Sequence, residues 1–153
     1  MRKDDRNLAV IAAEKYFSLV KGEKIDSWMG IWADEAVVEF PFAFGQMQKR
    51  LEGKKAIYNY FNNLPEMRLQ KEGKVITYPS SDELIAVIET SLEFFIPSTG
   101  QEYNQDYVCI LKVREDGKIT SYREYWNPLV SIKALGRANS VEPGSGEFKE
   151  GSK

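Results

Sequence analysis

The chain has 153 residues, 42% hydrophobic and 29% charged, the make-up of one globular domain around a single core rather than of a disordered or membrane-embedded protein. Lysine and arginine total 21 against 23 aspartate and glutamate, too even a balance for the field that nucleic acid or an anionic membrane requires, so the expected partner is a small apolar or cyclic molecule. Histidine is absent, and proton transfer near neutral pH therefore falls to a carboxyl or phenol whose pKa burial has moved.

Every apolar stretch falls short of the roughly 20 residues of a spanning helix, and the opening MRKDDRN leads into an amphipathic segment rather than a signal-peptide core. A soluble, cytoplasmic protein is expected, and the single cysteine, Cys109, fits a reducing compartment. From Asp4 to about Lys21, Leu8, Ile11, Ala12, Tyr16, Leu19 and Val20 recur at helical spacing, and Gly22 ends the run. Asp26 to Ala33 repeats the pattern with Trp28, Met29, Ile31 and Trp32, predicting a second, short helix. AVVEFPFAF reads as a strand with Pro41 near its end, a place for an edge or a bend. FAFGQMQKRLEG is the least regular stretch and is the expected rim or lid of a cavity. Gly53 to Leu64 predicts a third helix, stopped before Pro65.

The rest reads as sheet. MRLQKEGKVITY, DELIAVIETSLEFFIP, EYNQDYVCILKV and KITSYREYW are separated by turn signals, of which EDGK is the clearest, and predict an antiparallel meander. After Asn127 and Pro128, LVSIKALG predicts one or two helical turns closed by Gly136. The expected architecture is α+β: a cystatin-like cone of three N-terminal helices on a curved antiparallel sheet, spanning residues 1–138, with a polar flexible tail over 139–153. The open end of such a cone is the natural place for a pocket.

Within the last strand, Glu124 lies between Tyr122 and Trp126 at two-residue spacing, so all three share one face. If that face is the inner one, the acid is desolvated and suited to general acid–base work. The opposite register, or neutralisation by Arg123, makes it an ordinary charge. Tyr16 on the first helical stripe is either a packed core residue or a hydrogen-bond donor to the pocket. The expected lining is Trp126, Tyr122, Phe40, Tyr107, Cys109, Trp32, Tyr60 and Phe61, and Tyr103 and Gln105 share the parity of Tyr107 at the expected mouth. Asp106, Glu89 and Glu93 fall on the opposite parity and are expected outside. No residue set has metal-ligand or phosphate-loop spacing, so neither a metal nor a cofactor is expected.

The order of elements, with YFSLVKGEKIDSWMGIWADEAVVEFPFAF early and EDGKITSYREYWNPL late, resembles the nuclear transport factor two-like superfamily: ketosteroid isomerases, SnoaL-like polyketide cyclases and phenazine-biosynthesis A/B proteins. The resemblance covers roughly residues 5–136. It implies that Tyr16 matches the isomerases' oxyanion tyrosine, whereas Phe40 stands where their aspartate base lies and Cys109 where their second acid lies. A standard ketosteroid isomerase is therefore not expected. Arg123, Glu124, Tyr125, Trp126, Asn127 and Pro128 reproduce the last-strand motif of the phenazine and cyclase-like branch, although the histidine that accompanies that glutamate is missing. The expectation is a hydrophobic-ligand protein with isomerase-, cyclase- or hydratase-type proton transfer by Glu124 and a hydrogen bond from Tyr16. The alternatives are a non-catalytic binding domain and an assembly domain, with a homodimer formed through the sheet.

Overall fold

The computed structural model of the chain describes residues 7–135. The tail expected over 139–153, the helix start at Asp4 and the closing Gly136 lie outside the described residues.

Helix α1, Leu8–Phe17, opens on Asn7, whose side-chain oxygen accepts from the Val10 amide at 2.7 Å, the usual satisfaction of an otherwise orphaned donor. Its inward face is Ala9, Ala12, Ala13, Tyr16 and Phe17. The small alanines let the helix lie close on strands β5 and β6 (Ile85–Ile96 and Gln101–Val113), while Tyr16 and Phe17 fill the space beyond. A 3-10 turn, Ser18–Lys21, follows, and Gly22 at φ 104° ends it in a left-handed conformation that a side chain would strain. Helix α2 is one turn, Ile25–Trp28, continued by a 3-10 turn, Met29–Ile31. Helix α3 runs over Lys54–Asn62 and buries Ile57.

The remaining strands are β1 Trp32–Glu39, β2 Arg50–Glu52, β3 Arg68–Glu72, β4 Ile76–Pro79 and β7 Ile119–Tyr125, followed by helix α4, Pro128–Leu135. They form with β5 and β6 one sheet in the order β2-β1-β7-β6-β5-β3, and β4 pairs β5 beyond β3. Burial alternates strictly along β6, with Tyr103, Gln105, Tyr107, Cys109, Leu111 and Val113 inside. Asp106 and Glu89 are exposed and Glu93 faces the outer side with them, as their parity requires.

The sheet is antiparallel except for β1 and β7, which run parallel, with Val37, Val38 and Glu39 beside Ser121, Tyr122 and Arg123. A parallel pair needs a long crossover, and here the rest of the sheet together with α3 supplies it. Three readings change at the residue level. Trp32, placed by periodicity on the second helix, is the first residue of β1, and β1 ends at Glu39, before Phe40 and Pro41. The irregular stretch that follows contains the short strand β2. The segment MRLQKEGKVITY is two strands rather than one. Gly73 separates them because a Cβ there would stand 2.2 Å from Ser91 Oγ and 2.9 Å from its carbonyl oxygen, while its own N–H donates to that oxygen at 2.8 Å.

Candidate functional site

Between α1, α3, α4 and the concave face of the sheet lies a cavity of about 590 Å³, within the range of small-molecule sites. Its wall is mainly apolar and aromatic, with Phe40, Tyr60, Phe61, Phe94 and Trp126 among its rings and Leu92, Met47 and Met67 between them. Gln46, Met47 and Gln48 come from the irregular stretch after β1, so that loop does border the cavity. Among the described lining residues Glu124 is the only acid, and no lysine or arginine accompanies it.

Glu124 faces inward. It is 9% exposed, its neighbour Arg123 lies on the outer parity beside Glu39 and Ile110, and Glu124 itself stands opposite Cys109. The hydroxyl of Tyr16 donates to Glu124 Oε2 at 2.9 Å, joining residues 108 apart in the chain. Tyr16 is held from three sides. Its ring stacks on Tyr122 at 4.1 Å and 23°, Phe17 and Phe61 meet it edge-on, and Trp28 Nε1 donates to its carbonyl oxygen at 2.9 Å. An aromatic cage this dense fixes the phenol and leaves the carboxyl little room to move.

Desolvation pushes the Glu124 pKa from 4.5 up to about 7, against the hydrogen bonds from Tyr16 and then Tyr122, which pull it down. The phenol of Tyr16 is pushed well above its ordinary value by burial first and by the Glu124 charge second. Burial likewise raises Tyr60, Tyr103 and Tyr107. Near pH 7, then, Glu124 is the group that exchanges a proton while the phenols around it stay neutral donors.

Of the expected lining residues, Trp126, Phe40, Tyr107, Tyr60 and Phe61 reach the cavity together with Glu124 and Tyr16. Tyr122, Cys109 and Trp32 do not line it. Tyr122 has the inward parity but lies beneath the ring of Tyr16, and its hydroxyl donates to Cys109 Sγ at 3.0 Å. Trp32 is enclosed by Tyr16, Trp28 and Tyr122. These three form the wall behind the site. Burial there pushes the Cys109 thiol well up, so it remains protonated.

The far end of the cavity was less visible in the sequence. Tyr103 and Ser131 hydroxyls lie 2.9 Å apart and both line it. Gln105 is not part of the lining: its amide donates to the Asn127 carbonyl oxygen at 2.9 Å and its carbonyl accepts from the Asn127 N–H at 3.0 Å. That clasp fixes the point where β7 turns into α4, and Asn127 Oδ1 caps α4 by accepting from Leu129 N at 3.0 Å. Ser131, one turn on, is thereby aimed inward. The Asn-Pro pair before a helical stretch was the available signal for it.

A cone of helices over a bent mixed sheet, enclosing an apolar hollow with one buried acid, is the nuclear transport factor two-like fold. Residues 13–122 match the SnoaL-like domain, and the chain belongs to that family. It is 36% identical over 123 residues to the uncharacterized protein YesE of Bacillus subtilis, covering 80% of this chain and 83% of that one. A solved putative isomerase from Bacillus subtilis superposes with a TM-score of 0.77 at 34% identity, over 84% of this chain and 93% of the other. A Delta 5-3-ketosteroid isomerase from a Mycobacterium species superposes with a TM-score of 0.68 at 25% identity, over 84% and 96%. Among the described residues no cluster of three or more histidine, cysteine, aspartate or glutamate side chains is placed to hold a metal, and no helix is long and apolar enough to cross a membrane.

Proposed function

We propose that the protein binds a small, ring-shaped apolar molecule in the cone and moves a proton on it through the Glu124–Tyr16 pair, an isomerase- or cyclase-type reaction with no cofactor. The observation that carries this reading is the 2.9 Å bond between the two side chains inside a cavity whose described lining offers no other ionised group. In its base form Glu124 accepts from Tyr16 at Oε2 and presents Oε1 as its second oxygen. Oε1 takes a proton from a carbon next to a ring carbonyl, the C–H electron pair passes into the enolate, and the same carboxyl returns the proton at the old or a conjugated carbon.

Tyr16 therefore acts differently from the donor expected for it. Its single hydroxyl hydrogen is committed to Glu124 while the carboxylate is charged. Once Glu124 carries the proton, the pair holds two acidic hydrogens, and one can serve the developing oxyanion. Phe40 lies in the wall in place of an acidic side chain, so the work of base and acid converges on Glu124.

Exchange of the α-hydrogens of β-tetralone into deuterium oxide, followed by NMR, tests this. Wild-type protein should accelerate exchange, and Glu124→Gln should lose about a hundred- to ten-thousandfold while still binding the ketone by calorimetry. Equal exchange rates in the two proteins would end the catalytic reading and leave the non-catalytic binding domain. A homodimer through the sheet is supported by Ile76, Tyr78 and Val108, which leave apolar area exposed on the strands. Sedimentation equilibrium at micromolar protein should find a dimer, and a monomer would remove that partner.

A further inference from the structure

Glu124 is a buried acid for which the described residues supply no counter-charge. The titratable groups that act on it or feel its charge are Tyr16 from α1, Tyr60 from α3, Tyr103, Tyr107 and Cys109 from β6, and Tyr122 from its own strand. All are phenols or a thiol, and burial keeps them neutral near pH 7. The cations are turned elsewhere. Leu19, Val20 and Gly22 line the cavity, yet Lys21 between them points out to Glu72, with Nζ 3.0 Å from Oε1. Arg50 pairs with Glu39 and Glu52, Arg123 stands beside Glu39 on the outer parity, and Lys133 on α4 is exposed.

What surrounds the acid instead is ring surface. Trp126 follows it on the same face of the chain, meets Phe40 at 6.1 Å, and Phe40 meets Tyr60 at 5.1 Å, the pairs tilted by 48° and 34° rather than stacked. Trp126, Phe40 and Tyr60 all line the cavity together with Glu124. A carboxylate set among aromatic rings is suited to an organic ammonium, because ring faces attract the cation and the carboxylate accepts its N–H in a charge-assisted bond. Desolvation normally argues against burying an ion pair. Here that of the anion is built into the fold, since Glu124 is only 9% exposed in the protein alone, and only the ligand's cation has to leave water. Resting on the ring-shaped ligand proposed above, we infer that the Glu124 end of the cavity is also a binding site for a protonated amine carried on an apolar ring, its N–H on the carboxylate and its N-alkyl groups against Trp126, Phe40 and Tyr60. Such an amine occupies the carboxylate that serves as base, so it and a ring ketone exclude one another.

Calorimetry with 2-(dimethylamino)tetralin, its uncharged isostere 2-isopropyltetralin and β-tetralone tests this at pH 8.5 and pH 5.5, the tertiary amine being protonated at both. At pH 8.5 wild-type protein should bind the amine about thirtyfold tighter than the isostere, the value of a cation held on ring faces in a dry site. At pH 5.5, where Glu124 already carries its own proton, that preference should shrink about tenfold. Glu124→Gln, checked for folding by circular dichroism, should lose the preference at both pH values and still bind the isostere. The pH comparison in wild type stands without any variant. If amine and isostere bind alike at pH 8.5, or if the preference survives at pH 5.5 or in Glu124→Gln, the amine site is refuted, and binding of β-tetralone keeps the ring-ligand reading. A preference for the amine without binding of β-tetralone upholds the amine site and removes the ketone reading. Binding of none of the three sinks both.

Discussion

At one end of the cavity a carboxyl accepts from the Tyr16 phenol at 2.9 Å, and at the other the Tyr103 phenol shares hydrogen bonds with a serine hydroxyl and a glutamine amide at 2.9 to 3.4 Å. Depth of burial is similar, since Glu124, Tyr103 and Tyr107 are all less than one-tenth exposed. The consequences differ because one set can become charged in the working pH range. For neutral hydroxyls a hydrogen bond replaces most of what water supplied. An anion needs more than one donor to do the same, and Glu124, short of them, rises to about 7. The structural elements differ as well: the acid end joins α1 to β7, whereas the hydroxyl end joins β6 to α4 through the Gln105 clasp.

The sharpest way to test that contrast is the loss of exchange activity in Glu124→Gln, a change worth about 3–5 kcal/mol in the barrier; Ser131→Ala should leave the rate constant for bound ketone near wild type. Next is stability against pH. The native state of Glu124 holds its proton up to about 7, whereas an unfolded glutamate releases it near 4.5. Between those values the native state binds more protons than the unfolded one, so stability falls as pH rises through the window, by about 3 kcal/mol in all. Urea unfolding at pH 4.5 and pH 8 should show that fall in wild type and its absence in Glu124→Gln, which becomes the more stable protein at pH 8. A flat wild-type profile would mean that Glu124 is solvated.

Tyr16→Phe sharpens the comparison further. The Tyr16 hydrogen bond lowers the Glu124 pKa, so removing it moves the pKa up and shifts the rising limb of the exchange rate towards alkaline pH. Tyr103→Phe, which contributes only at a distance, should leave that limb in place. A limb that stays put in Tyr16→Phe would show that the 2.9 Å bond does not form in solution.

That Tyr122, Glu124 and Trp126 share one face is legible because parity along a strand is a local property; that this face is the inner one is not. Parity does not carry depth. Tyr122 and Cys109 share the inner face yet sit behind the wall, since α1 lies across that part of the sheet and the Tyr16 ring covers Tyr122. For the same reason Leu92 and Phe94, on the inner side of β5, line a hollow rather than a filled core. The meander and the helices could be read from spacing and turn residues, but the parallel partnership of β1 with β7 could not, because pairing between distant segments leaves no local pattern. The break at Gly73 depends on the approach of Ser91 from a neighbouring strand, which is again a tertiary fact.

The smallest effect expected is at Asn127, and it separates the two ends most cleanly. Its side chain only caps α4, while its backbone stays clasped by Gln105. Asn127→Ala should therefore cost about 1 kcal/mol of stability, the usual value of a lost cap, measured by urea unfolding. The cost should be the same at pH 4.5 and pH 8, because α4 supplies the hydroxyl end and Glu124 is held from α1 and β7. A cost that changed with pH would mean that the start of α4 also sets the environment of the acid through the adjoining Trp126, and the two ends would then have to be treated as one coupled site.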